Sequence, residues 1–210
     1  QVIDNVKANQ TLDVNITNAR EFYSYGHTGT DTNALFKEVT HESDINYKDS
    51  QQDFIDFNIQ KLLPHKLSEY SPALAAGDID GNGLDDIIIG GNSYNLAKVF
   101  LQQPDGRFKQ QDLLPAKEKK FDAWQDEGIL LFDANGDNKP DVYIASGGYK
   151  YRSGSTNYQD RLYVNTGNGS FKIDSLALPE NYTSKMCVRA FDYNNDGKHD
   201  LFVSGRVDPW

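Results

Sequence analysis

The sequence contains a single cysteine, Cys187, so an internal disulfide is impossible and a disulfide-bonded scaffold is excluded. It also lacks any run of 18 apolar residues, which a membrane-spanning helix would need. There is no basic excess, because 21 Lys and Arg stand against 31 Asp and Glu and give a formal net charge of −10 at pH 7. This charge argues against nucleic acid or an anionic membrane surface as a partner. The remaining composition, 38% hydrophobic over 210 residues, is that of a globular protein with a core.

Catalytic motifs are lacking as well. The chain has no G-x-S-x-G, no glycine-rich phosphate loop and no His-x-x-x-His, and its four histidines are scattered. We therefore expect that the chain is not an enzyme, with no catalytic residues and no organic cofactor.

What the chain does contain is a repeat. Three nine-residue segments align without gaps, and their first residues lie 55 and 59 positions apart. They are D-I-D-G-N-G-L-D-D (78–86), D-A-N-G-D-N-K-P-D (133–141) and D-Y-N-N-D-G-K-H-D (192–200). Short apolar runs rich in β-branched and aromatic residues stand on both sides of each segment, which predicts a strand, a turn and a strand.

A second hairpin follows in the first two repeats. Its turns are Pro104-Asp105-Gly106 and Gly167-Asn168-Gly169, which supply the positive φ that tight hairpins need. Each repeat therefore comprises four antiparallel strands, the size of one propeller blade. The predicted fold is all-β, a partial β-propeller of four-stranded antiparallel blades in which the nine-residue segments form the loops between strands 1 and 2.

The chain is divided accordingly. We expect an N-terminal strand segment and linker, a pre-blade segment, two blades and the first hairpin of an incomplete third blade; their residues are 1–32, 33–72, 73–125, 126–187 and 188–210. A short amphipathic helix is predicted around residues 54–62, before Pro64. The unfinished third blade leaves open sheet edges, which we expect to pair with residues 35–39, with another copy, or with further blades of a longer chain.

The repeated segment has the chemistry of a metal loop. Positions 1, 3, 5 and 9 are Asp or Asn in all three copies. The residue at position 7 varies, which is expected of a ligand that binds through its backbone carbonyl. Positions 4 and 6 are only Gly or Asn, the residues that most readily accept left-handed backbone. The predicted ligands are Asp78, Asp80, Asn82, Leu84 and Asp86; Asp133, Asn135, Asp137, Lys139 and Asp141; and Asp192, Asn194, Asp196, Lys198 and Asp200.

An all-oxygen ligand set without His or Cys favours Ca²⁺ over zinc or copper, and Mg²⁺ is less suited because it keeps several waters. An EF-hand is excluded because its twelfth position, a bidentate Glu, is here Ile89, Ile144 and Val203. We expect three Ca²⁺ ions, one in each loop.

These residues resemble a known family. Each copy follows one pattern: an apolar strand, D-x-[DN]-x-[DN]-x-x-x-D, a second apolar strand and then Gly-Gly. This pattern is similar to the FG-GAP or VCBS repeats of integrin-α-like β-propellers. The Gly-Gly pair is present at 90–91 and 147–148, whereas the third copy has Gly205-Arg206. Residues 7–12 and 60–68 bear a looser similarity to bacterial secreted proteins of the ASPIC/UnbV type. The resemblance implies an extracellular, cell-surface or periplasmic protein, bacterial in origin, and a full propeller of seven or eight blades of which this chain is a piece.

The expected function is a calcium-stabilised binding or adhesion scaffold that recognises a glycan or a protein. The alternatives are a scaffold portion of a polysaccharide-degrading lyase or hydrolase, or a structural spacer. The loop at 149–158 is too long for a plain turn, and Tyr, Ser, Gly and Asn are typical of recognition surfaces, although its tyrosines could instead pack on their own blade. Because connections alternate between the two ends of a meander, the end opposite the metal loops collects the expected ligand face: Trp124, Tyr149, Tyr151, Arg152 and Tyr158.

Overall fold

The computed structural model describes residues 9, 17, 35–51, 53–114 and 124–210. The chain divides into two compact units, residues 1–38 and residues 39–210. Apart from Asn9 and Thr17, the predicted N-terminal strand segment (1–32) lies outside the described residues. The strands given below belong to the second unit.

Three successive antiparallel sheets make up this unit, and neighbouring strands follow chain order in each. The first sheet contains β1 (Leu74–Gly77), β2 (Asp86–Ile89), β3 (Lys98–Gln102) and β4 (Phe108–Asp112). The second contains β5 (Asp126–Phe132), β6 (Asp141–Ser146), β7 (Arg161–Gly167) and β8 (Ser170–Asp174). The third is the pair β9 (Cys187–Phe191) and β10 (Asp200–Ser204). The prediction of an all-β chain with four-stranded antiparallel sheets is confirmed.

The outer hairpins turn at the predicted tripeptides. Gln102 pairs with Phe108 across the first turn, and Gly106 has a φ of 81°. In the second sheet Gly167 pairs with Ser170, and Asn168 has a φ of 52°. Because each four-stranded sheet is a meander, its connections alternate between two ends. In the first sheet the β1–β2 and β3–β4 connections lie at one end and the β2–β3 connection at the other. In the second sheet the β5–β6 and β7–β8 connections lie at one end and the β6–β7 connection at the other.

Alternate residues of β6 enter two different cores. All six of its residues are buried. Val142 and Ile144 belong to a cluster with Ile88 and Val99 of the first sheet. Tyr143 belongs to a second cluster with residues of β7 and β9. A strand buried on both faces lies between two layers, so the second sheet packs between the first and the third.

Glycines permit the close approach of successive sheets. A Cβ on Gly90 would lie 2.6 Å from the Cβ of Asp126 at the start of β5. A Cβ on Gly147 would overlap the carbonyl oxygen of Lys185, which lies just before β9. The same junctions are hydrogen-bonded, since the Asp126 N–H donates to the Gly91 carbonyl (3.1 Å) and the Lys185 N–H to the Ser146 carbonyl (3.1 Å). The first glycine of each Gly-Gly pair is therefore explained by packing between sheets. A Cβ on the second would instead overlap the Asn95 carbonyl oxygen of the β2–β3 connection at Gly91 and the Gln125 side chain at Gly148.

The predicted helix around residues 54–62 is wrong. The described residues of this stretch contain only a single 3₁₀ turn, Asp56–Asn58. The Asp56 carboxylate points inward and accepts the backbone N–H groups of Leu67 and Ser68, while Leu62 is 98% exposed. A side chain that bonds to the backbone of a later turn favours an irregular segment over a helix.

Residues 35–39 do not form the predicted edge strand. They lie outside every described strand, and Leu35 and Phe36 are almost fully exposed. The prediction that this segment pairs with the open sheet edge is therefore wrong. Pairing of that edge with another copy or with further blades stays a prediction.

Candidate metal centres and ligand face

The three nine-residue loops join the first two strands of each sheet. They are named loop 1 (78–86), loop 2 (133–141) and loop 3 (192–200). Positions 4 and 6 have positive φ in each: Gly81 and Gly83 (81° and 85°), Gly136 and Asn138 (82° and 62°), Asn195 and Gly197 (59° and 82°). The prediction that Gly and Asn stand there to allow left-handed backbone is confirmed.

The first aspartate organises each loop. In loop 1, Asp78 Oδ1 accepts the N–H groups of Gly81 (2.8 Å) and Asn82 (3.1 Å), and Oδ2 accepts that of Gly83 (2.9 Å). In loop 2, Asp133 binds the same three positions at 2.7, 3.1 and 2.8 Å. These N–H groups, chiefly that of Asn138, lower the pKa of Asp133. The backbone of each loop thus curls around one carboxylate.

The side chains at positions 3 and 5 each accept a backbone N–H of the loop with one oxygen. Asp80 and Asn82 each accept the N–H two residues ahead, at 3.1 and 2.7 Å. Asn135 and Asp137 do so in loop 2, at 2.9 and 3.0 Å. The second oxygen of Asp137 contacts the Lys139 ammonium (3.0 Å), which lowers the pKa of Asp137.

The ninth position ties its loop to the third strand. Asp86 is fully buried; Oδ2 accepts the Ile79 N–H (2.9 Å) and Oδ1 the Gln102 N–H at the end of β3 (2.7 Å). Asp141 makes the equivalent bonds to Ala134 (3.0 Å) and Asn165 of β7 (2.8 Å). Burial raises the pKa of Asp86, and the backbone donors oppose this shift.

Loop 3 has the same curl without a third strand. Asp192 accepts the N–H groups of Asp196 (3.1 Å) and Gly197 (2.8 Å), and Asp200 Oδ2 accepts that of Tyr193 (2.9 Å). In the described part of the chain no strand pairs with the outer side of β10.

Carboxylates converge most closely in loop 1. Asp78, Asp80 and Asp86 each offer an oxygen within 4.8 Å of the others, and residues 35–51, 53–114 and 124–210 contain no second acidic group as tight. Two like charges at this distance repel by about 3 kcal/mol at an effective dielectric of 20. A hard divalent cation with oxygen ligands would offset this repulsion, so the donor set fits Ca²⁺. The predicted ligands of loops 2 and 3 are held in the same curl, and each of those loops has Asn at position 3.

The expected ligand face is only partly on the surface. Tyr149 and Tyr158 are fully buried, and the Tyr158 hydroxyl donates to the Tyr151 carbonyl (2.7 Å). Because both side chains are buried, they cannot contact a bound molecule, so the prediction is wrong for them. Tyr151 is half-buried and Arg152 exposed, with the Arg152 guanidinium 5.1 Å from the centre of the Trp210 ring.

Trp124 lies elsewhere on the same end, against a buried ion pair that sequence reasoning missed. The Arg161 guanidinium carbon stands 4.2 Å from the centre of the half-buried Trp124 ring. Arg161 pairs with Asp126, and the two side chains are 8% and 2% exposed. Nearby, burial and then the Asp126 charge raise the pKa of Glu127 to about 7, opposed by Lys150.

The comparisons with known proteins agree with this architecture. The FG-GAP-like repeat matches residues 78–144 and 133–203, so each match begins at the first aspartate of one loop and ends in the strand after the next loop. Because these matches cover more than half of the chain, the protein belongs to the FG-GAP-like repeat family. No curated protein matches the chain significantly. The similarity to ASPIC/UnbV-type proteins stays a prediction.

No helix among the described residues is long and apolar enough to cross a membrane.

Proposed function

We propose that the protein is an extracellular, calcium-stabilised binding scaffold for a glycan or protein ligand. The observation that carries the proposal is the repeated loop, in which the same backbone curl aims oxygen side chains inward three times, with three carboxylates within 4.8 Å in loop 1. Ca²⁺ would be held by the side chains at positions 1, 3, 5 and 9 and by the carbonyl at position 7.

The proposed role of the ion is mechanical. Asp86 and Asp141 already join their loops to β3 and β7, so an ion bound to either carboxylate would restrain three strands of that sheet together. In the proposal, ligand binding takes place at the opposite end, where the β2–β3 and β6–β7 connections emerge.

Thermal unfolding with Ca²⁺ and with a chelator tests the metal sites. At 100 times its dissociation constant, each bound ion adds about 2.7 kcal/mol to the free energy of unfolding. For a domain of this size we therefore expect the melting temperature to fall by about 5–10 °C for each site emptied. Calorimetric titration of metal-free protein should give three ions per chain, with Mg²⁺ far weaker.

Two matched substitutions in loop 1 locate the effect. Asp80→Asn removes a charge at ligand position 3, whereas Asp85→Asn makes the same change at exposed position 8. Asp80→Asn should lower the calcium affinity of one site, and Asp85→Asn should leave it unchanged. Melting that is identical with Ca²⁺ and with chelator, or equal calcium affinities for the two variants, would contradict the assignment.

A further inference from the structure

One buried side chain joins loops 1 and 2, that of Asn165 in β7. Its amide Nδ2 donates to the Ile79 carbonyl of loop 1 (2.8 Å) and to the Pro140 carbonyl of loop 2 (3.1 Å). Its backbone N–H donates to Asp141 Oδ1 at the ninth position of loop 2 (2.8 Å). Asn165 is 1% exposed, so these hydrogen bonds are shielded from water.

The connection continues inside loop 1 to the other ninth-position aspartate. The Ile79 N–H donates to Asp86 Oδ2 (2.9 Å). The resulting set of hydrogen bonds, here named the Asn165 bridge, links Asp86, Ile79, Asn165 and Asp141 in that order. Both of its ends are proposed metal ligands, one in each loop.

Burial makes the bridge suited to transmitting position. All of its residues are buried, and hydrogen bonds away from water are electrostatically stronger than exposed ones. Ile79 also packs in the core cluster shared by the first two sheets, together with Val99 and Val142. Such close packing leaves side chains few alternative arrangements. Restraint of the Asp86 carboxylate is therefore passed to the Asp141 carboxylate, and the reverse.

Loop 3 has no such connection in the described part of the chain. Ala134 is the residue of loop 2 that corresponds to Ile79, because the N–H of each donates to the ninth aspartate of its own loop. No described side chain donates a hydrogen bond to the Ala134 carbonyl, and no described strand corresponds to β7 beside β10. The three loops are thus connected unequally.

We propose that the Asn165 bridge couples the cation sites of loops 1 and 2, so that occupation of one raises the affinity of the other, whereas loop 3 binds independently. The physical origin is preorganisation. When the ninth carboxylate of one loop is already restrained, less conformational entropy is lost as that loop orders around its own ion. The inference rests on the proposed calcium sites and adds a regulation to them. Asn165 acts in it as a positioning residue, through Ile79 and Asp141.

NMR titration of the metal-free full chain with Ca²⁺ measures each loop separately. The amide resonances of Gly83, Gly136 and Gly197 report on loops 1, 2 and 3. A salt concentration of about 0.15 M screens direct repulsion between the ions beyond about 8 Å.

Asp80→Asn weakens loop 1, so that loop 2 fills while loop 1 is empty. The midpoint reported by Gly136 should then rise by about fivefold or more, and that reported by Gly197 should stay unchanged. Coupling is reciprocal, so Asp137→Asn in loop 2 should raise the midpoint reported by Gly83 by the same factor. Equal responses of loops 2 and 3 to Asp80→Asn would overturn the coupling, and this comparison needs no change at Asn165.

Two matched substitutions test the bridge itself. Asn165→Ala keeps the backbone N–H to Asp141 and removes the amide, so the effect of Asp80→Asn on loop 2 should vanish in this background. Gln111→Ala removes another amide donor between the same two sheets, since Gln111 Nε2 donates to the Gly169 carbonyl (2.6 Å) without contacting a loop. It should lower the melting temperature and leave the coupling intact, which separates positioning from a merely structural role.

The outcomes distinguish this inference from the proposed metal sites. Coupling that is the same in Asn165→Ala and Gln111→Ala would refute the role of Asn165. Three calcium midpoints that shift independently of one another in the wild-type background would refute the coupling and leave the metal sites standing. Glycine resonances that do not respond to Ca²⁺ in any loop would refute both.

Discussion

The ninth aspartate of loop 2 should stabilise the fold even without a metal. Both Asp141 oxygens are used inside the protein, one by the Ala134 N–H at 3.0 Å and the other by the Asn165 N–H at 2.8 Å. In Asp141→Asn one acceptor oxygen becomes an NH₂ group that faces one of these donors. The variant loses a hydrogen bond to a charged acceptor and leaves a buried N–H unsatisfied.

The magnitude follows from these two effects. A hydrogen bond to a charged group contributes about 1.5–3 kcal/mol, and an unsatisfied buried donor costs about 1–3 kcal/mol. We expect Asp141→Asn to lower the free energy of unfolding by about 3 kcal/mol or more in chelator. For a unit of this size that corresponds to a fall in melting temperature of about 6–12 °C.

Two further variants separate this effect from metal binding. Asp137→Asn keeps its bond to the Lys139 N–H and lies on the surface, so metal-free Asp137→Asn should melt close to wild type while its calcium stabilisation falls. Asp200→Asn should cost less than Asp141→Asn, since no third strand pairs with β10 in the described part of the chain. The assay is denaturant unfolding in chelator, followed by circular dichroism. If Asp141→Asn and Asp137→Asn lose the same stability there, the anchoring role of position 9 is refuted.

Two other predictions concern the junctions between sheets. Because burial and Asp126 raise the pKa of Glu127 from 4.5 to about 7, the folded state keeps a proton that the unfolded state loses, and stability falls as the pH rises through this window. The free energy of unfolding of Glu127→Gln should therefore exceed that of wild type by up to about 3 kcal/mol at pH 8 and equal it at pH 4. Urea unfolding at fixed calcium measures both values, and the same difference at both pH values would contradict this origin. Gly147→Ala should cost about 3 kcal/mol or more because its Cβ would overlap the Lys185 carbonyl, whereas at Gly77 the new Cβ would meet only the end of a leucine side chain at 3.1 Å. Thermal melting of Gly147→Ala and Gly77→Ala compares the two, and equal losses would be inconsistent with the packing account.

The features that the sequence predicted well are governed by local rules. Asp-Asn-Gly spacing determines where the chain must curl, and the positive φ values at Gly81, Asn138 and Gly197 follow directly from residue type. The short apolar runs beside those curls, most of them rich in β-branched or aromatic residues, favour strands, which is why the hairpins and their turns were predictable. The carboxylate convergence of loop 1 follows from the same spacing.

The features it did not predict depend on contacts between distant segments. Tyr149 and Tyr158 are buried, and a loop rich in tyrosine has the same composition whether those rings point inward or outward. The Arg161–Asp126 pair joins residues 35 positions apart, across two strands of the second sheet. Similarly, Asp56 bonds to backbone about a dozen residues later, which no helical periodicity reveals.

The hydrogen bonds of the loops also explain which positions admit asparagine. Positions 1 and 9 are Asp in all three loops, whereas positions 3 and 5 alternate between Asp and Asn. Asp78 and Asp86 accept backbone N–H groups with both oxygens, and an amide at either place would turn an NH₂ toward a donor. Asp80 and Asn82 accept with a single oxygen, which an amide supplies equally well. Each loop nevertheless has one Asp and one Asn at positions 3 and 5, so every loop has three carboxylates at its proposed ligand positions. The backbone hydrogen bonds require two of these carboxylates. The third stands at either position 3 or position 5, where the backbone would accept an amide equally well, so the fold does not require it, whereas the proposed cation site would.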